Sequence, residues 1–379
     1  MLKKSYFLFS LISIICSNFL FAQEEYLDTT YCSNSSLDLG VSNTGLSFGN
    51  SQNWNGIRFN ISDCNIEEIN GINITFWNPE EIHNSEINGI AIGLAPSAGK
   101  FNGVAIGGAV VSEEKVNGLN LGILASVAGG NMSGINFGGL ALVSEGEIGG
   151  INFGGLAQVS EKGIIGINFG GLALVSENHI LGINFGGLAL VSEGELTGLN
   201  ISGLAQVSQS NISGINLSGL ALVSEGEING LNIGGLALVS QSKIAGINFG
   251  GLAIVSSDEI LGINICGLTI SSSSGIMGIN STLGLLKSKG EITGINFAGY
   301  KTEANVLNGL NISPIWSEIN ELNGLSIAGY NRISQVQNGI TIGLVNFVEI
   351  LNGLQIGLIN IAENNSFPFR VLPIFNANF

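Results

Sequence analysis

The sequence predicts an all-β fold, a β-solenoid of about twenty coils of ~16 residues with irregular end caps. Three observations carry this. One glycine returns at a fixed sixteen-residue spacing from Gly118 to Gly294, twelve times without a gap. An asparagine follows it two places later each time, from Asn120 to Asn296. Around that pair apolar residues alternate with small or polar ones, which is strand periodicity. The unit is also rich in glycine and β-branched residues, which disfavour helices.

The unit is clearest at Gly150-Ile-Asn-Phe-Gly-Gly-Leu-Ala-Gln-Val-Ser-Glu161. Two residues before the anchor glycine stands an aliphatic, such as Ile148, Ile164 or Ile180. Ile151 and Phe153 are expected to point inward, with Asn152 opposite. After Gly154-Gly155 the large residues fall at Leu156 and the place of Gln158, one step out of phase. A corner at the glycine pair would keep them all inside, and glycine permits such a corner. In-register coils put each side chain about 4.8 Å above its equivalent. The asparagines would then form an amide ladder and the phenylalanines an internal stack. About twenty coils at that spacing make a rod of roughly 95 Å.

Residues 1–22 read as a signal peptide. Lys3 and Lys4 precede the apolar run from Tyr6 to Ile15, and Leu20-Phe-Ala22 offers a cleavage point before Gln23. Residues 23–53 are a polar leader or N-terminal cap. Irregular first repeats cover 54–117, anchored at Gly56, Gly71, Gly89 and Gly103, with an insertion around Trp77-Asn-Pro-Glu80. Terminal units of an array are commonly atypical. The regular block spans 118–297. Divergent repeats fill 298–362, anchored at Gly309, Gly324, Gly339 and Gly353, and there Ser326, Thr341 and Gln355 replace the asparagine. Residues 363–379 form a C-terminal cap or closing strand.

Gly353-Leu-Gln-Ile-Gly-Leu-Ile-Asn-Ile-Ala362 is followed by Val371-Leu-Pro-Ile-Phe-Asn-Ala-Asn-Phe379. Together they resemble a family of exported bacterial surface-repeat proteins with glycine-anchored tandem units and a C-terminal aromatic segment. Asn55-Gly-Ile-Arg-Phe-Asn60 and Ile69-Asn-Gly-Ile-Asn-Ile74 resemble its leading units. The resemblance covers roughly residues 54–379. It implies a location at the cell surface or outer membrane of a bacterium and implies no activity.

An alternative fold is an outer-membrane β-barrel acting as a pore or anchor. Phe367, Phe369, Val371, Pro373, Phe375, Ala377 and Phe379 alternate strictly, like the last strand of such a barrel. The phase shift at each glycine pair would demand a bulge in every strand, which favours the solenoid.

Composition excludes several classes. Hydrophobic residues are 45% and charged residues 11%, the reverse of a disordered chain. A net charge of −16 would repel nucleic-acid phosphates. No run after the signal peptide reaches the length of a membrane helix. Cys32 and Cys64 are either a disulfide or a free pair, and Cys266 takes the small-residue place held by Gly250 one unit earlier. The only histidines, His83 and His179, lack metal-ligand spacing. Ser144, Ser160 and Ser176 recur with the unit and have no His-Asp pair to activate them. The glutamates at Glu145, Glu161, Glu177 and Glu193 could share a divalent cation. The reading preferred here splays them into solvent, and Gln209, Gln241 and Ser257 interrupt their column. The chain is therefore expected to have no catalytic, cofactor or metal residue. Its expected role is structural or adhesive, toward an unknown surface ligand or envelope component, with outer-membrane association as an option.

Overall fold

The computed structural model describes residues 32, 35–77, 79, 80 and 82–379. The signal-peptide segment and, of the leader, residues 23–31, 33 and 34 lie outside the described residues.

Each regular coil contributes one longer strand and one four-residue strand, such as Glu147–Gly154 and Ala157–Ser160. Each strand pairs in parallel with its equivalents one coil before and after. Asn168 aligns with Asn152 and Asn184, and Gln158 aligns with Leu142 and Leu174. This is the stacking of a β-solenoid. A barrel would pair neighbouring strands antiparallel. Here the partner lies sixteen residues away and runs parallel, so the barrel alternative is overturned.

The anchor glycine sets the approach of the coils. At Gly150 φ is 107°, a region that L side chains rarely adopt. A Cβ there would sit 2.1 Å from the carbonyl oxygen of Gly134. The same contact repeats up the rod to Gly353. The column also starts earlier than the sequence suggested, because Gly45 pairs with Gly56.

Exposed residues fall at three corners of each coil: Gly150-Ile151, Gly155-Leu156 and Glu161-Lys162. Between them the inward positions are Asn152 and Gly154, then Gln158 and Ser160, then Ile164. This corrects the expected orientation. Asn152 is fully buried, while Ile151 and Phe153 are 39% and 37% exposed. Leu156 is also outside. The glycine-pair corner exists, but it turns its leucine out. The apolar core is made instead by the columns of Ile148, Ile164 and Ile180 and of Leu142, Leu174 and Leu190.

Space and bonding explain the inversion. The asparagine position lies in a narrow part of the coil, where a Cβ on nearby Gly154 would meet the Ala157 carbonyl at 2.2 Å. A phenylalanine is too large for it. Asparagine fits and satisfies itself along the axis. Asn152 Nδ2 donates to Asn168 Oδ1 at 2.8 Å, and such bonds run unbroken from Asn136 to Asn296. Buried polar groups persist when they are paired in this way.

Both ends of the parallel stack are closed by an antiparallel strand. Ser36–Val41 folds back on Thr44–Gly49 through Ser42 and Asn43, whose φ values are 52° and 54°. Such a two-residue turn matches strand twist. Beneath it Arg58 and Asn73 occupy the asparagine column. The Arg58 guanidinium lies 2.5 Å from Asp63 Oδ1 and donates to Asn73 Oδ1 at 2.8 Å. Cys32 and Cys64 are joined as a disulfide. At the other end Val371–Asn378 runs antiparallel to Gly353–Ile361.

Two paired predictions test this architecture. Gly166→Ala meets the Gly150 carbonyl at 2.1 Å with φ of 113°, whereas Gly149→Ala meets nothing closer than 3.7 Å. In thermal unfolding the first should lose more than about 3 kcal/mol, and the second should stay within about 1 kcal/mol of wild type. Asn200→Leu strands Asn184 Nδ2 and Asn216 Oδ1, which should cost about 1–3 kcal/mol for each. Both amide atoms of buried Gln158 lack partners, and leucines flank it in the column. Gln158→Leu should therefore raise stability by about 1–3 kcal/mol.

Candidate binding surface

The third corner carries the chemistry that the sequence singled out. Its turn is held from within by the buried serine column. Ser144 Oγ donates to the Gly130 carbonyl at 2.6 Å and accepts from Gly146 N at 3.0 Å. Ser160 does the same with the Gly146 carbonyl and Gly163 N. These hydroxyls are committed to the turn.

On that turn Glu145, Glu161, Glu177 and Glu193 stand exposed, as expected. Partial burial, and after it the charges of Glu161 and Glu193, raise the Glu177 carboxyl above its ordinary pKa. Among the described residues no three His, Cys, Asp or Glu side chains come together as a metal site. His179 leans across Gly163, so that its Nε2 lies 4.0 Å from Glu147 Oε2 two coils away. His83 is exposed, and its Nδ1 lies 2.6 Å from Glu113 Oε2. Cys266 is buried opposite Gly250, with Sγ 2.8 Å from the Leu252 carbonyl, and burial raises its thiol pKa.

The other two sides present hydrocarbon. One bears the Ile151 and Phe153 columns, where Phe153, Phe169 and Phe185 stack at 4.8 and 4.9 Å between centroids. The phenylalanines do stack, but outside the coil. The other bears small apolar residues such as Ala157 and Val159. Between these sides runs a ridge of leucines, one per coil from Leu124 to Leu268, each 43–58% exposed.

Sequence reasoning missed this surface because it placed those columns in the core. A signal was present in the charge pattern. From Gly118 to Leu286 every Asp, Glu and Lys lies at the third corner, from Glu145 and Glu147 to Asp258 and Glu259. Beyond that, charges reach the Ala-Val side. Lys287 Nζ donates to Glu303 at 2.7 Å and Lys301 Nζ to Glu318 at 2.6 Å. Lys301 also lies 4.7 Å over the Trp316 ring, and Trp316 packs on Tyr330 with centroids 5.9 Å apart.

No family model, curated protein or solved structure matches the chain.

The glutamate column makes a pH prediction. Because the fold raises the Glu177 pKa, its carboxylate weakens the folded state at neutral pH. Protonation removes that penalty as pH falls through the folded pKa. Glu177→Gln should thus raise the melting temperature slightly at neutral pH. The difference from wild type should vanish in acid below the ordinary glutamate pKa.

Proposed function

We propose that the chain is an exported, non-catalytic rod of the bacterial cell envelope, which works by displaying long columns of similar side chains. The observation that carries this reading is lateral uniformity. The apolar outer columns repeat mostly one class of side chain at one spacing, which suits an extended partner better than a single small ligand. Catalysis needs a local break in the repeat where unlike groups converge. The side chains suited to it are spent elsewhere: the serines hold turns, Cys266 is buried, and the histidines pair with single glutamates.

Export is supported by the signal-like residues 1–22 and by the Cys32–Cys64 disulfide, since disulfides persist in oxidising compartments. The resemblance of residues 54–379 to exported surface-repeat proteins points the same way. Of the two roles open to such a rod, structural and adhesive, the apolar sides favour attachment to an envelope component. An acidic third corner disfavours nucleic acid. A pore is not part of this reading, because side chains fill the coil interior.

Fractionation of cells making the full chain tests the proposal. The expected result is a chain shortened at its N-terminus, in the envelope fraction, with Cys32 and Cys64 protected from thiol alkylation until reduced. An unprocessed chain in the cytoplasm would overturn it.

A further inference from the structure

The leucine ridge and its two apolar flanks run uncharged from Gly118 to Leu286. We propose that this ridge is immersed in the hydrocarbon of a lipid bilayer surface, so that the rod lies along the membrane with its acidic corner in water. This rests on the envelope reading and names the partner.

Charge segregation is the first argument. All charge between Gly118 and Leu286 sits at one corner, while the opposite ridge and both flanks carry none. That is the division of an interfacial amphipathic helix, built here from a solenoid. Shape is the second. The apolar zone is convex, two sides meeting at a ridge. A second rod laid on one side would leave the ridge and the other side wet, whereas a fluid hydrocarbon covers all three.

The third argument is the backbone. In hydrocarbon each unpaired N–H or C=O costs several kcal/mol, so bare loops are not tolerated. The ridge is a corner, yet its amides are paired between coils. Leu140 N donates to Leu124 O at 2.6 Å, Leu156 N to Leu140 O at 2.8 Å, and so on to Leu268 N and Leu252 O at 2.9 Å. The fourth is where the zone ends. Tyr300 continues the ridge column, with Lys287, Lys301, Trp316 and Tyr330 beside it. Aromatic and cationic residues of this kind favour the headgroup level.

The acidic corner gives no attraction to anionic headgroups, so binding should depend on apolar contact alone. The test is sedimentation of the purified chain with phosphatidylcholine vesicles, and with vesicles that also contain phosphatidylglycerol. The chain should pellet with both, no better with the anionic set, and raised salt should not release it. The double variant L172E/L188E should lose binding by about tenfold or more. Its melting temperature should fall only slightly, because both side chains already face outward. E177Q/E193Q should bind like wild type.

A chain that stays in the supernatant would overturn the proposal, as would an L172E/L188E variant that still pellets. Sedimentation velocity without lipid adds a further arm. Dimers that L172E/L188E abolishes, with no vesicle binding, would assign the ridge to a second copy and overturn the lipid assignment. An envelope-located chain that ignores vesicles would leave the envelope reading standing and remove only this one.

Discussion

The stack depends on a close contact between backbones, at the anchor glycine. Each anchor carbonyl occupies the place where the next anchor would carry a Cβ, from Gly45 to Gly353. This contact fixes the height of one coil on the next. It also fixes the register, because a slip of one residue would drive a side chain into a carbonyl. Once register is fixed, like must stack on like. The asparagine ladder, the serine-held turns, the outer phenylalanine stack and the leucine ridge are all consequences of that single constraint.

Stacking like on like changes what a core can contain. An isolated buried asparagine is costly. A column of them is not, because each amide finds its donor and acceptor in the coils above and below. The penalty reappears where the column is broken. Gln158 interrupts a leucine column and has no partner for either amide atom, and Asn120 Nδ2 and Asn136 Oδ1 are unpaired where the ladder begins. Arg58 shows the other solution, a buried charge bonded to Asp63 and Asn73 where the regular column gives out.

Much of the fold was legible from period alone. The twelve evenly spaced glycines and asparagines announced a stack, and the glycine pair announced a corner. The direction of the side chains was not legible, for a physical reason. Alternation says that Asn152 and Phe153 face opposite ways, but not which way is in. Ordinary burial logic sends the phenylalanine inward, and here the narrow coil reverses it. Counting offered a clue, since sixteen is even. One alternation can run through Ile148, Asn152, Gly154, Gln158, Ser160 and Ile164 without a phase shift once the asparagine is taken as internal. The glutamates were placed correctly in solvent. The apolar surface was missed because its residues had been assigned to the core, and the pairing of His179 with Glu147 was hidden because it spans two coils.

The asparagine ladder is also a vector. Every amide from Asn136 onward donates toward the C-terminal end of the rod, so the side-chain dipoles add head to tail along the axis. The line leaves an unpaired acceptor oxygen at Asn136, and its last donor turns to the Leu310 carbonyl at 3.3 Å. The two ends of the regular block are therefore electrically unlike, although the units between them are nearly identical. Duplicating a unit would lengthen the rod without changing its sides. It would also lengthen the aligned dipole, whose two ends call for different chemistry.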